Sequence, residues 1–193
     1  MAIDRKKAIE ALSKIKVRGN QDGLIPAFGV LINQFPSKFW NLFSQKILEK
    51  AGEDLYDSAA GLLENAGSEC GYHTGWGIIN SDEFKSVIMP MVEKAPEDIL
   101  HGAYAVFTAW GWADSEIVEL IPGEKMVVRA YNYYEMDEKT KKHFAFMLKG
   151  ISRAFFDIAY GEPYPNGFGK FQCEQTKGIE VGDQYGEFVV TKA

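Results

Sequence analysis

Hydrophobic positions change their period several times along the chain, and each change marks an element. Between residues 4 and 17, Ile9, Leu12 and Ile15 recur at helical spacing behind Asp4, a capping residue, and the stretch ends at Gly19-Asn20-Gln21-Asp22-Gly23. Leu24 to Phe35 is apolar, interrupted by Pro26 and Gly29, and without clear period, which fits either a loop or a short strand against the body. From Pro36 the helical period returns, with Phe39, Phe43 and Ile47 on one face and Trp40 beside them. A second helix begins near Glu53 and runs through Leu55, Ala59, Leu62, Ala66, Cys70 and His73. Gly67, Gly71 and Gly75 form another row on it. Each glycine costs a helix roughly 1 kcal/mol relative to Ala. Either another backbone packs closely against that row, or the helix stops near Ala66 and the glycines belong to a loop.

Ser81-Asp82-Glu83 reads as a helix start, with acidic residues at the positive end of the dipole, and Pro90 breaks or kinks that helix. Pro96-Glu97-Asp98 opens another helix, with Ile99, Ala103, Phe107 and Trp110 on one stripe and an end near Gly111. Ser115 to Ile121 and Lys125 to Tyr133 are rich in Val, Ile and Tyr and flank Pro122-Gly123, which suits a type II turn. Asp137 is placed to cap a long helix striped by Phe144, Met147, Leu148, Ile151, Phe155 and Ile158, widened by Phe146, Ala154 and Phe156. Such a helix is buried on most sides and stops at Gly161-Glu162-Pro163. Pro163 to Gly169 is a loop, and Phe171 to Gln175 pairs with Tyr185 to Val190 around Gly178 and Gly182-Asp183. The order is helices, hairpin, long buried helix, hairpin. That is an α+β class, helices packed with two antiparallel β-hairpins forming a small sheet.

Composition narrows the possible partners. At 193 residues the chain suits one domain, residues 1–193, with residues 1–35 as an appended N-terminal helix and loop. Aromatics make up 13%, enough rings for a large core or a pocket. A formal net charge of -6 gives no general attraction to nucleic acid or anionic lipid, and the Arg5-Lys6-Lys7 cluster, interrupted by acids, reads as a solvated helix face. The longest apolar run, Ala103 to Ala113, is about half of what a bilayer needs. The first residues carry no apolar stretch behind their charges, so no signal peptide and no membrane partner are expected. Two cysteines, Cys70 and Cys173, imply no disulfide framework and point to the cytoplasm.

Several segments in this order resemble the 4-vinyl reductase domain family. They are Leu55-Tyr56-Asp57-Ser58-Ala59 through Gly67 and Gly71, Ala109-Trp110-Gly111-Trp112 through Glu119, Val127 to Glu135, Phe144 to Gly161, and Gly182-Asp183-Gln184-Tyr185-Gly186-Glu187-Phe188. Together they span residues 53–191. The resemblance implies a fold shared with ligand-binding domains of phenol-responsive transcription activators and with trafficking-complex subunits that hold a fatty acyl chain. It also implies a homodimer binding a hydrophobic small molecule. Phenol-sensing relatives carry a zinc site made of a Glu, a Cys three residues on and a Cys eight beyond that. Here those cysteine positions fall at Gly178 and Gly186, and the nearest acid, Glu174, is one place out of register. The resemblance therefore implies no metal and no cofactor for this chain.

Candidate ligand contacts are His101, Trp110, Trp112, Tyr131, Tyr133, Phe144 and Phe146, with Cys70 and His73. Small-molecule sites are mostly apolar with a few polar groups, although rings at helical spacing also fill cores. His101 and the Tyr131-Asn132-Tyr133 stretch occupy positions similar to those at which the phenol-sensing relatives touch their ligand. A histidine near the surface is the plainer reading. Cys70 and His73 lie three apart on one helix, which admits a packed pair, metal ligands or a thiol with a base. The expected function is a cytoplasmic sensor or carrier closing an apolar pocket around a hydrophobic, aromatic-sized molecule between the two β-ribbons. Its rivals are an enzyme in that pocket, vinyl-reductase-like or dependent on Cys70 and His73, and a protein-assembly subunit.

Overall fold

The computed structural model describes residues 3–137 and 140–193. Helix α1 (Arg5–Leu12) is capped by Asp4, whose carboxylate accepts from the Lys7 N–H at 3.0 Å. Its apolar side, Ala8 and Leu12, is fully buried against Phe28, Phe84, Ile88 and Val106. The helix is thus packed into the body. Arg5 is not on a solvated face as expected: its guanidinium donates to the Ser115 carbonyl at 2.9 Å and pairs with Asp114 at 2.8 Å. The aperiodic stretch after α1 is a small hairpin, β1 (Ile25–Ala27) with β2 (Val30–Ile32), turned at Phe28-Gly29.

Helix α2 (Ser37–Ala51) buries Ser44 and Leu48, while Phe39 and Phe43 remain 42% and 43% exposed. Its ring face therefore points away from the body. Helix α3 (Tyr56–Asn80) runs unbroken through the glycine row, which settles the choice between helix and loop. Its partner is α6 (Phe146–Tyr160), and the two backbones nearly touch. A methyl group placed on Gly67 would lie 2.7 Å from the Met147 Cα, and one on Gly150 would lie 2.2 Å from the Glu64 carbonyl oxygen. Short helix α4 (Asp82–Val87) is capped by Ser81, and α5 (Glu97–Ala109) begins after Pro96.

Strands β3 (Ala113–Ile121) and β4 (Lys125–Tyr133) turn at Pro122-Gly123, where the Gly123 φ of 68° meets the type II requirement. Strands β5 (Phe171–Lys177) and β6 (Gly186–Lys192) make the second hairpin. The hairpins join along β4 and β6, Met126 opposite Val190 and Val128 opposite Phe188, giving one antiparallel sheet in the order β3-β4-β6-β5. The fold is α+β. Because the ribbons are neighbours in one sheet, no space opens between them. Their inner side chains, Met126, Val128, Phe188 and Val190 among them, meet Leu148, Ile151, Phe155 and Phe156 in the largest core cluster.

Helix α6 starts nine residues after Asp137, and the intervening expected start crosses positions 138–139, outside the described residues. Its first N–H groups are met from a distance. Buried Glu135 accepts from Met147 at 3.0 Å and Leu148 at 2.7 Å, and buried Glu180 accepts from the Phe144 N–H at 3.1 Å. Phe144 precedes the helix, which begins at Phe146. Met1 and Ala2, where the leader reading begins, also lie outside the described residues. Among the described residues no helix is long and apolar enough to cross a membrane.

Candidate functional site

Helices α3 and α6 stay in contact as far as Gly71, whose added methyl would meet Ile151 Cα at 3.0 Å. At Gly75 the neighbours become side chains, Ile158 Cδ1 at 2.8 Å and the Phe155 ring at 2.9 Å. Here α5 crosses the pair, and the three helices leave a cavity of about 220 Å³. Helix α5 supplies one wall with Ile99, Ala103, Phe107 and the adjoining Trp110, the stripe read from the sequence. Gly75, Trp76, Ile78 and Ile79 come from α3, and Phe155, Ile158 and Ala159 from α6.

The α5 C-terminus places two indoles on this wall. Gly111, at φ 73°, closes the helix in a Schellman arrangement: its N–H donates to the Thr108 carbonyl at 3.0 Å and the Trp112 N–H donates to the Phe107 carbonyl at 3.1 Å. The apolar contact that accompanies this motif is the edge-to-face pair of Phe107 and Trp112, 4.7 Å between centroids. Trp110 and Trp112 thus flank the glycine 6.1 Å apart. The lining residues carry no formal charge. The Trp110 indole N–H is buried and has no hydrogen-bond partner among the described residues.

Of the residues singled out in the sequence, Trp110 and Trp112 line this cavity, and the others lie elsewhere. His101 is half-buried on α5, where burial lowers its pKa against the opposing pull of Asp98 and Glu116. Tyr131 is on the open face of the sheet and donates to Glu116 at 2.7 Å. Tyr133 is buried, donates to Glu180 and accepts from the Ile179 N–H at 3.1 Å. Phe144 and Phe146 pack with Leu48, Ala59 and Leu63 beneath α2. Cys70 and His73 are exposed and held by different groups: the thiol is 3.7 Å from the Thr74 hydroxyl, and His73 Nδ1 is 3.0 Å from the Tyr164 hydroxyl.

Gly178 and Gly186 frame a hydrogen-bonded network. Gln175 donates to Glu180 at 2.6 Å, and Tyr133, its pKa raised by burial and by that carboxylate, donates to the same group. A side chain on Gly178 would strike Glu180 at 2.7 Å, and one on Gly186 would strike the Tyr133 ring at 2.8 Å. Among the described residues no group of three or more His, Cys, Asp or Glu is arranged to hold a metal ion. The contacts that sequence reasoning missed, Trp76, Phe155, Ile158 and Ala159, adjoin the last glycine of the row or continue the α6 stripe. The only local signal for them is that the glycine row ends beside a tryptophan.

No protein-family description matches the chain, and no curated protein matches its sequence. Solved structures do match. The phenol-responsive sensory domain of the transcription activator PoxR, crystallised with phenol, superposes with a TM-score of 0.71 over 100% of this chain and 92% of that one, at 10% identity. A trafficking protein particle complex subunit 3 from Naegleria fowleri, covalently bound to palmitic acid, gives 0.53 over 81% and 95%, at 16% identity. At such identities the likeness establishes a shared fold.

Proposed function

We propose that this chain binds an uncharged, apolar small molecule in the cavity among α3, α5 and α6 and acts as a sensor or carrier. The observation that carries the reading is a partly open cavity of about 220 Å³ with an almost wholly carbon wall. An apolar cavity of roughly 150 Å³ already admits benzene, so a guest of one or two rings suits this one. Leaving a carboxylate or ammonium unpaired against such a wall costs several kcal/mol, which disfavours ions. That the PoxR domain of like fold was crystallised with phenol supports the same class of guest.

The reading includes a homodimer. Phe39 and Phe43, with Phe35 stacked 4.7 Å from Phe39, form an apolar face on α2 suited to a second copy. A cytoplasmic setting goes with it, since neither cysteine is in a disulfide. Nucleic acid is not among the partners, given the net charge of -6. A reaction resting on Cys70 and His73 gains no support from a pair held by different partners.

Thermal melting with phenol, indole and naphthalene tests the binding. A ligand at one hundred times its Kd stabilises by about 2.7 kcal/mol. Ala103→Phe, which fills the cavity, should abolish that rise while leaving the protein folded. The reading fails if none of the three raises the Tm and mass spectrometry of freshly purified protein finds no organic guest.

A further inference from the structure

We infer that Tyr164 is a positioning residue that holds Trp76 at the cavity wall, so that loop 161–170 governs how fast a guest exchanges; this rests on the cavity being a binding site. Trp76 is half-buried and lines the cavity. Tyr164 lies on it in near-parallel stacking, centroids 4.8 Å apart and planes 3° apart. The same tyrosine stacks on Tyr72 one helical turn earlier, at 5.4 Å and 28°. Its hydroxyl meets His73 between them at 3.0 Å. Three consecutive contacts along α3 thus fix one ring.

The loop that delivers Tyr164 is itself anchored. It leaves α6 at Tyr160, the residue after Ile158 and Ala159, which line the cavity, and returns to the Trp76 wall, bridging two sides of the same space. Asp157 holds both of its ends: its carbonyl accepts from the Gly161 N–H at 2.8 Å, and its carboxylate accepts from Gly169 at 3.0 Å and Lys170 at 2.8 Å. Midway, the Gly167 N–H donates to the Tyr72 hydroxyl at 3.1 Å. A methyl group on Gly167 would sit 2.1 Å from the Glu162 carbonyl oxygen, so the loop is folded tightly on itself. A partly exposed indole without such support reorients in picoseconds to nanoseconds. Stacked under a braced tyrosine it does not, and the opening beside it keeps one shape.

The experiment uses the full chain labelled with 5-fluorotryptophan, the Trp76 resonance being assigned by its loss in Trp76→Phe. Fluorobenzene serves as probe, with its exchange rate read from ¹⁹F line shapes. Tyr164→Ala should shift and broaden the Trp76 signal in the empty protein and speed fluorobenzene release by roughly 2- to 12-fold, the worth of one aromatic stack. Tyr164→Phe keeps the ring on Trp76 and gives up only the exposed bond to His73, so the Trp76 signal and the release rate should stay closer to wild type than in Tyr164→Ala. Tyr164→Leu, which preserves bulk at the site, guards against a Tyr164→Ala protein that fails to fold and should behave like it. An unmoved Trp76 resonance in folded Tyr164→Ala or Tyr164→Leu, or wild-type release rates in them, overturns the inference. If the wild-type protein does not bind fluorobenzene, the claim about guest exchange fails, whatever the melting tests of binding give, and the Trp76 signal still decides whether Tyr164 positions that ring.

Discussion

Substituting alanine for glycine at two places on one helix should move stability in opposite directions. At Gly67 the added methyl lies 2.7 Å from the Met147 Cα and 2.8 Å from its carbonyl oxygen. Both are backbone atoms that no rotamer change can move, so α3 and α6 must separate by several tenths of an ångström or more. Overpacking of this kind costs roughly 1–3 kcal/mol, offset by the gain of about 1 kcal/mol that alanine brings to a helix. Gly67→Ala should therefore be destabilising by up to about 2 kcal/mol net, and Gly150→Ala, with its 2.2 Å approach to Glu64, by more. Gly61 is on the same helix and has no atom within 4 Å of the added methyl. There the propensity term stands alone, and Gly61→Ala should stabilise by about 0.5–1 kcal/mol. Urea melts with unchanged m-values measure all three, each kcal/mol corresponding to about 2–4 °C in Tm. Equal signs for Gly61→Ala and Gly67→Ala would refute backbone contact as the reason for the glycine row.

Glu135 gives a pH signature. Burial raises its pKa to about 8, against two lowering bonds from Met147 and Leu148. The folded protein then holds a proton that the unfolded chain releases near pH 4.5. Stability from this group is full below the ordinary carboxylate value and is lost as pH rises toward about 8, at up to about 1.4 kcal/mol per unit. Melts from pH 5 to 8 should show that slope in the wild type and a flatter one in Glu135→Gln; parallel slopes would refute it. Arg5→Ala removes the bonds to Ser115, Asp114 and Thr108 from a partly exposed side chain, and should cost roughly 1 kcal/mol and speed amide exchange in α1. Wild-type exchange there would show that the apolar side of α1 alone holds it. Phe43→Asp on the open face of α2 should give a monomer by sedimentation, with Tm nearly unchanged. A dimer that survives this change would place the contact elsewhere.

Local signals are readable wherever a few neighbouring residues decide the outcome. Pro122-Gly123 between two β-rich runs gives the first hairpin, and the Ile99, Ala103, Phe107 and Trp110 stripe gives α5. The pairing of β4 with β6 is not readable, because Val128 and Phe188 meet across a long stretch of chain with nothing local to declare it. The start of α6 escapes sequence reading for the same reason: Glu180 satisfies Phe144 from 36 residues away. Rings pose a different difficulty. Helical spacing puts Phe155 and Phe144 on one stripe, yet Phe155 lines a cavity while Phe144 fills a core. The period reports which side of a helix is apolar and is silent on whether the neighbouring helix closes against it.

The glycine row ends differently from how it begins. Gly67 faces backbone, whereas at Gly75 the nearest atoms belong to side chains, the tip of Ile158 and the edge of Phe155. An alanine at Gly75 must therefore be met by shifts of those two side chains, both of which line the cavity. Residue 75 becomes a dial on capacity, adjustable without disturbing the rigid crossing a turn or two away. On the proposed binding reading, a library randomised there should read out as a graded series of size limits on one unchanging frame.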